Sequence, residues 1–229
     1  TLKVVRPHLE SGTPIVGLEP SCVAVFRDEL TDLFPHDEDA KRLHRQMFTL
    51  AEFLEKKAPD FRPPKLARQA LVHGHCHQTA VLGMDAETEQ LGKLGLEVQL
   101  LDEGCCGMAG SFGFIEDKYE LSQKIGELGV LPAVRGAPKD SFVIADGFSC
   151  RTQIEQGTDR QALHTAQVIQ LALQQTQNPV RGDYPERGRV PLRRNDGHAR
   201  ELAVAGCGLA LGGWLAWRML KRTHRRAHK

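Results

Sequence analysis

Five of the six cysteines in this 229-residue chain lie just past predicted buried strands, and two of the five are adjacent. The strand-like runs are short, apolar and rich in branched residues; they are Thr13–Leu18, Gln69–Val72, Leu96–Leu101 and Ser141–Asp146. Four residues past these runs come, in the same order, Cys22, Cys76, Cys105 with its neighbour Cys106, and Cys150. Ligands bind beyond the carboxyl ends of the strands in an open α/β sheet. Loops at that edge can bring five thiols to one place, as an iron–sulfur cluster requires.

The double cysteine stands in a glycine-rich segment, Gly104–Gly113, which is the most specific stretch of the chain. Adjacent cysteines rarely serve packing, because alternate side chains point apart. Both can bind one large group where the backbone turns sharply, and a multi-iron cluster spans them with less strain than a single zinc ion. Gly104, Gly107 and Gly110 allow positive φ and close approach to inorganic sulfide, and exposed amides stabilise a negative cluster. A vicinal disulfide between the two cysteines is the alternative.

The segment His73–Gln78 places one thiol, Cys76, among three imidazoles. Zinc accepts such a mixture of ligands, so a zinc-binding domain built on Cys76, His75, His77 and Cys150 is one alternative. The other interpretation is that the histidines donate hydrogen bonds to the ligands or cap the next helix. Cys76 is the metal ligand that we expect from this segment.

Strands that alternate with helices predict an α/β fold with a parallel, doubly wound sheet. Helices are expected over Val23–Phe34, Asp37–Lys57, Thr79–Leu94, Glu116–Leu131 and Gln161–Leu173. The chain then divides into a first block and helical connector (1–64), a second block (65–175), a basic linker (176–200) and an apolar helix with a basic tail (201–229). Because the chain begins with Thr, we expect it to be a C-terminal fragment of a longer protein.

The formal net charge is only +1, but the charges are unevenly distributed. Residues 176–229 contain 12 Lys and Arg against 4 Asp and Glu, whereas the preceding residues contain 18 against 25. Six cysteines are too few for a disulfide-stapled secreted module, and no secretory signal opens the chain. We therefore expect reduced thiols, a cytoplasmic protein and no nucleic-acid partner.

Residues 202–217 carry no charge and are followed by Arg218, Met219 and Leu220. At about 1.5 Å per residue, residues 202–220 are barely long enough to span a bilayer core of about 30 Å. Two nearby tryptophans and the basic tail suit an anchor at the inner face of the membrane. The alternative is an apolar helix that docks onto a partner, so membrane association stays open.

Three cysteine segments together resemble the cysteine-rich CCG domain: Cys76, Cys105-Cys106-Gly107 and Gly147-Phe148-Ser149-Cys150. That domain occurs in one of the subunits of heterodisulfide reductase, in the iron–sulfur subunits of glycolate and lactate oxidation, and in fused FAD-linked oxidases. The segment Glu19–Cys22 is similar to the closing loop of a preceding copy of the repeat. The resemblance covers roughly Pro14–Gln174 and is nearest to the hydroxy-acid oxidase branch at His75–Gln78 and Cys105–Ser111.

The resemblance implies a sheet built from CCG-type repeats and an iron–sulfur cluster, of the 4Fe–4S or noncubane kind. Its implied ligands are Cys22, Cys76, Cys105, Cys106 and Cys150. It also implies an electron-transfer module whose FAD lies upstream or on a partner subunit. That flavoprotein would oxidise a 2-hydroxy acid such as glycolate, D-lactate or D-2-hydroxyglutarate, and the electrons would pass on to a quinone or another acceptor.

The chain departs from the heterodisulfide reductase pattern at the end of the repeat. That enzyme has two cysteines separated by two residues, and the second position here is Gln153. Four repeat cysteines remain, and Cys22 either completes five or binds a cluster whose other ligands lie upstream. A thiol or heterodisulfide reductase-like role is the alternative function, which a substrate cavity next to Cys105 would favour.

Overall fold

The computed structural model describes residues 1–102 and 104–187, all of which belong to the compact unit Thr1–Arg189. The described part is α/β, as the sequence predicts. Its five strands are β1 Ile15–Gly17, β2 Met47–Thr49, β3 Arg68–Val72, β4 Leu96–Leu100 and β5 Phe142–Ile144. Its helices are α1 Leu2–Glu10, α2 Pro20–Arg27, α3 Glu29–Leu33, α4 Glu38–Gln46, α5 Leu50–Lys57, α6 Asp85–Lys93, α7 Glu116–Gly126, α8 Val130–Gly136, α9 Phe148–Gly157 and α10 Thr165–Gln174.

The described strands form two parallel sheets. β1 pairs with β2, while β3 lies in the centre of a second sheet in the order β4-β3-β5. Leu71 of β3 is opposite Gln99 of β4 and Val143 of β5. Because all three strands run in one direction, their carboxyl ends share one edge. From β3 the chain continues to β4 on one side, and it later returns to β5 on the other side of β3. This reversal opens a crevice at the carboxyl ends of the strands.

The core of the second sheet reaches into the cysteine-bearing loops. One continuous apolar cluster joins strand residues to two of the predicted ligands; among its members are Leu71, Val143, Val134, Met108, Cys106 and Cys150. Each buried aliphatic side chain contributes about 1.5–3 kcal/mol. The loops are therefore positioned by the same packing that holds the sheet together.

Strand β2 lies inside the segment Asp37–Lys57, which the sequence predicts as one helix. The apolar spacing fits a helix, but Met47–Thr49 instead pairs with β1. A new helix then begins at a capping box, in which Thr49 Oγ1 accepts from the Glu52 N–H at 3.2 Å and Glu52 Oε2 accepts from the Thr49 N–H at 2.9 Å. The prediction of one continuous helix here is wrong, because a long-range strand pairing overrides the local pattern.

Helix α9 differs from the expectation in a way that affects the site. The sequence predicts a loop at Cys150, whereas the structure places this cysteine in the first turn of α9. Helix α1 is also absent from the sequence-based assignment. The expected helix Glu116–Leu131 is divided into α7 and α8, and the break contains Gly129, with φ −157° and ψ −64°.

Residues 176–187, the start of the predicted basic linker, pack against the body. Arg160 and Glu186 form a buried ion pair with an Nε–Oε1 distance of 2.7 Å, and Arg68 donates to the carbonyl oxygens of Val180 and Gly182. Within residues 1–102 and 104–187, no helix has the length and apolarity to cross a bilayer. The expected apolar helix and basic tail, residues 201–229, lie outside the described residues.

Candidate metal centre

The second sheet brings three loops together at the carboxyl ends of its strands. Cys76 follows β3 and lies two residues before a π-helical turn, Gln78–Leu82. The double cysteine follows β4, and Cys150 follows β5. Gly74 makes the sharp exit from β3 possible, since a Cβ there would lie 2.6 Å from Thr79 Cγ2. The thiols therefore come from three connections that follow the strands of one sheet, with Cys150 in the first turn of α9.

Four of the five predicted metal-binding thiols form an unbroken chain of side-chain contacts. Cys76 contacts Cys105, Cys105 contacts Cys106, and Cys106 contacts Cys150. All four are free thiols, so the vicinal disulfide is not what the structure contains. Cys106 and Cys150 are buried, whereas Cys105 is half-buried and Cys76 exposed. The chain of sulfurs thus runs from the core to the surface.

The pKa values of three of these four thiols, Cys76, Cys105 and Cys106, are raised, which favours their neutral form. Burial raises the pKa of Cys76 to about 11, and the contact with Cys105 adds to the effect. Contact with Cys106, followed by burial, raises the pKa of Cys105. For Cys106, the contact with Cys105 lowers the pKa, but the contact with Cys150 and burial outweigh it and raise the value to about 12. Negative charge on neighbouring, partly buried sulfurs is costly unless a cation compensates it, and soft thiolates suit zinc and iron–sulfur groups, so the donor set fits a thiolate-binding metal group.

Backbone amides of the glycine-rich loop donate to the sulfurs. The Gly107 N–H donates to Cys105 Sγ at 3.3 Å, and the Met108 amide hydrogen-bonds Cys106. Gly107 has φ +91°, and a Cβ there would lie 2.1 Å from the carbonyl oxygen of Ser122 in α7. Gly104 and Gly110 face open space. The close approach at Gly107 is therefore to α7, while an approach of these glycines to inorganic sulfide stays a prediction.

His73 joins the cysteines at the buried end of the chain. One of its ring nitrogens lies in a group with Cys106 Sγ and Cys150 Sγ in which all three atoms are within 4.8 Å of one another. The side chain is buried. The sequence places three histidines near Cys76 and does not distinguish His73 from the other two. Their alternate spacing was the available signal, since it puts all three on one face of an extended segment.

The other two histidines of this segment have different surroundings. His75 and His77 stack at a centroid distance of 5.3 Å, and the His77 N–H donates to His75 Nδ1 at 3.2 Å. Burial lowers the pKa of His75, although the charge of Glu19 opposes this shift. Neither ring belongs to the three-atom group that contains His73.

Cys22 is the predicted ligand that the structure keeps apart from the others. It lies exposed in the first turn of α2, and its sulfur is not part of the chain of contacts. Its loop is nevertheless close to the second sheet, because Glu19 Oε2 accepts a hydrogen bond from the Phe148 N–H at 2.8 Å. Cys22 as a ligand therefore stays an expectation of the sequence alone, since the contacts among the other four thiols do not include it.

Gln153, which occupies the position of the missing cysteine, is held by α7. It is fully buried, and its Nε2 donates to the Ser122 carbonyl at 3.1 Å, while its Oε1 accepts from Gln123 Nε2 at 3.2 Å. These contacts tie α9 to α7. The structure gives this side chain a packing role beside the site.

A buried carboxyl near the site was missed by sequence reasoning. Glu87 of α6 accepts hydrogen bonds from Thr165 Oγ1 at 2.8 Å and from Gln78 Nε2. Burial raises the pKa of Glu87 to about 8, and the negative charge of Asp146 adds to the rise. Asp146 itself accepts from the Thr165 N–H at 2.7 Å. In the sequence Glu87 looks like an ordinary acidic residue in the middle of the predicted helix Thr79–Leu94, so no local signal marked it. The observed α6 begins only at Asp85, which puts Glu87 in its first turn.

These observations define an α/β protein with a cysteine-rich candidate metal centre. No family model matches the chain. It is similar to one of the subunits of anaerobic glycerol-3-phosphate dehydrogenase from Escherichia coli, at 29% identity over 168 residues, or 71% of this chain and 41% of that protein. It is also similar to the D-2-hydroxyglutarate dehydrogenases of Pseudomonas putida, at 30% over 162 residues, and of Escherichia coli, at 28% over 160 residues.

The last two alignments cover 70% and 69% of this chain but only 15% of each D-2-hydroxyglutarate dehydrogenase. The chain thus spans less than half the length of any of these three relatives. The relatives are dehydrogenases and hence oxidoreductases, the class that the sequence predicts.

Proposed function

We propose that this chain is the iron–sulfur electron-transfer module of an FAD-linked 2-hydroxy-acid dehydrogenase or oxidase, of the glycolate, D-lactate or D-2-hydroxyglutarate type. The observation that carries the proposal is the unbroken chain of four thiols at the carboxyl ends of three parallel strands. The similarity to D-2-hydroxyglutarate dehydrogenases supports the substrate class, since D-2-hydroxyglutarate is a 2-hydroxy acid.

In this proposal Cys76, Cys105, Cys106 and Cys150 hold the cluster, which supplies single-electron acceptance and release. The chain's own residues do three things. The core around Cys106 and Cys150 excludes water from one side of the site. The loop amides donate to sulfur and so stabilise thiolate charge, and the packed strands keep the four sulfurs together.

The same proposal names the partners. A flavoprotein part or subunit that carries FAD delivers the electrons, and a quinone or another carrier receives them. The word "subunit" in the name of the glycerol-3-phosphate dehydrogenase relative supports an assembly of several chains. We place the module on the cytoplasmic side, with association at the inner face of the membrane through residues 202–220 as part of the proposal.

The test is anaerobic analysis of iron and acid-labile sulfide with electron paramagnetic resonance, on this chain and on two variants. About four iron atoms per chain are expected for a 4Fe–4S cluster, and Cys106→Ser should lose them because Cys106 lies in the middle of the sulfur chain. Cys22→Ser is the matched control, because it changes a cysteine whose sulfur does not contact the other four. Iron that is equally retained in Cys106→Ser, or no iron in the parent chain, would contradict the proposal.

A zinc site is the second candidate, because one observation favours it. The His73, Cys106 and Cys150 ligand atoms lie within 4.8 Å of one another, a spacing that a single zinc ion also fits, with bonds of about 2.3 Å to sulfur and about 2.0 Å to nitrogen. The same analysis decides between the two. One zinc ion per chain, without sulfide and without colour, would replace the cluster by a structural or hydrolytic zinc centre.

A further inference from the structure

We propose that His73 is the fifth ligand of a noncubane iron–sulfur cluster held by Cys76, Cys105, Cys106 and Cys150, so that the site combines four cysteine thiolates with one imidazole. The inference rests on the proposed function and adds to it a residue that the cysteine pattern does not contain. It follows from the position of the His73 ring relative to Cys106 and Cys150, and from the places of the other candidates for a fifth ligand.

The geometry places both kinds of donor atom beside one another, where a single metal group would be held by them. A ring nitrogen of His73 and the Sγ atoms of Cys106 and Cys150 all lie within 4.8 Å of one another. Metal–sulfur bonds are about 2.3 Å and metal–nitrogen bonds about 2.0 Å, so the side chains need only a small inward shift for all three atoms to bind one metal group. No change of fold is needed to bring the imidazole to the cysteines.

The backbone fixes the imidazole in this place. His73 directly follows β3, and its N–H donates to the Ile144 carbonyl of β5 at 2.9 Å, so the sheet pairing continues to this residue. Only 2% of the residue is exposed. Gly74 comes next, where a Cβ would lie 2.9 Å from Met84 Sδ. The ring is thus held at the end of a central strand, on the buried side of the sulfur chain.

The other candidates for a fifth ligand are placed less well. Gln153, at the position of the missing cysteine, has its amide engaged by Ser122 and Gln123 of α7. Cys22 is exposed and outside the chain of sulfur contacts. Of these positions, His73 is the one whose donor atom already lies beside Cys106 and Cys150.

An imidazole ligand has a predictable electronic effect. Neutral histidine in place of a thiolate leaves the cluster less negatively charged, which makes a further electron easier to add. Replacement of two cysteines by histidines raises the potential of Rieske centres relative to plant-type ferredoxins for this reason. His73 would therefore tune the centre to accept electrons from a donor of higher potential than an all-cysteine site would.

The experiment uses the full chain, loaded with iron and sulfide under anaerobic conditions and produced with either natural or ¹⁵N-labelled histidine. Pulsed electron paramagnetic resonance of the paramagnetic cluster measures the hyperfine coupling of nearby nitrogens. We expect a strong histidine nitrogen coupling that changes on ¹⁵N labelling and disappears in His73→Gln. The labelling experiment on the unaltered chain does not depend on the folding of any variant.

Two further variants sharpen the result. His77→Gln is the matched control and should keep the strong coupling, while His73→Cys should keep the cluster with a lower midpoint potential and no histidine coupling. A cluster that shows only the weak coupling of an N–H···S hydrogen bond, or a strong coupling that survives in His73→Gln, would overturn the role of His73 and leave the proposed function standing. A chain that takes up no iron would instead overturn the proposed function.

Discussion

Replacement of Gly107 by alanine should damage the candidate site more than any other glycine-to-alanine change in the same loop. Gly107 has φ +91°, which lies outside the small left-handed region open to residues with a Cβ. The added Cβ would also stand 2.1 Å from the Ser122 carbonyl oxygen and 3.1 Å from the Gly126 nitrogen, both in the backbone of α7. Loop and helix must separate by about 1 Å or more before an ordinary contact is reached.

The size of the effect follows from these two causes. A residue with a Cβ in this backbone conformation costs about 1–3 kcal/mol, and overpacking of a tight contact costs a further 1–3 kcal/mol or so. We therefore expect Gly107→Ala to lower the free energy of unfolding by about 2–6 kcal/mol. The Gly107 N–H, which donates to Cys105 Sγ, would move with the loop, so metal content should fall as well.

Two glycines of the same loop provide graded controls. Gly110 has φ +65° and open space around it, so alanine there should cost about 1–2 kcal/mol from the left-handed backbone alone. Gly104 also faces open space, without a positive φ, and alanine there should change stability by less than about 1 kcal/mol. Urea unfolding of the metal-free chain measures all three variants, and iron analysis measures their sites.

The three alanine variants should lose stability in the order Gly107, Gly110, Gly104, and a different order would contradict the close contact at Gly107. If Gly107→Ala unfolds at the same urea concentration as Gly110→Ala, the contact between this loop and α7 is not as close as the structure has it. If Gly107→Ala is strongly destabilised but binds iron as the parent chain does, Gly107 serves the fold and has no part in holding the site.

Three further changes test other parts of the structure. Glu87→Gln should stabilise the chain at alkaline pH, because the native carboxyl keeps a proton up to about pH 8 and the unfolded chain releases it near the ordinary pKa of a glutamate. The parent therefore loses roughly 2–4 kcal/mol of its free energy of unfolding between pH 5 and 9, and the variant does not. Equal pH profiles of urea unfolding for the two proteins would contradict this. Glu186→Ala leaves the buried Arg160 without its carboxylate and should cost about 3–5 kcal/mol. Glu127→Ala, which breaks an exposed and solvent-screened ion pair with Arg135, should change stability far less. Similar thermal unfolding of both variants would speak against the buried pair. The Cys22→Ser variant should bind as much iron as the parent, because the Cys22 sulfur does not contact the other four thiols. A loss of iron on anaerobic analysis would make Cys22 a ligand.

Strand positions could be read from the sequence because the apolar runs are short and end in polar loops. The runs that predict β3 and β4 differ from the observed strands by a single residue at one end. Strand β2 could not be found in this way, because Met47–Thr49 continues the helical spacing of its neighbours and becomes a strand only by pairing with β1. The Thr49–Glu52 capping box was a visible sign that a new helix starts there.

Part of the candidate metal centre could also be predicted from the positions of the strands. Parallel strands bring their following loops to one edge, so the spacing of the cysteines was enough to place Cys76, Cys105, Cys106 and Cys150 near one another. Which histidine joins them could not be read from spacing. That depends on the β3–β5 pairing, which continues to His73 through the Ile144 carbonyl.

The first segment of the chain also contributes to the frame of the site. Helix α9, which carries Cys150, has Gly147 at its N-cap and hence no side chain of its own there to accept the first amide hydrogen. Glu19 supplies the acceptor from a loop 129 residues earlier, at 2.8 Å from the Phe148 nitrogen. Glu19 is also the N-cap of α2, the helix whose first turn carries Cys22. That turn therefore begins beside the contact between Glu19 and Phe148.

Glu19→Ala tests whether this contact supports the site independently of Cys22. A carboxylate at a helix N-terminus stabilises the unpaired amides there, and removal of such a cap costs about 0.5–2 kcal/mol. We expect a lower thermal unfolding temperature and weaker retention of iron against a chelator, because the Cys150 turn loses its acceptor. Glu29→Ala, an acidic residue changed in α3, should leave both unchanged. If Glu19→Ala behaves like this control, the loop after β1 lies beside the metal centre without holding it, and Cys150 is positioned by the core alone.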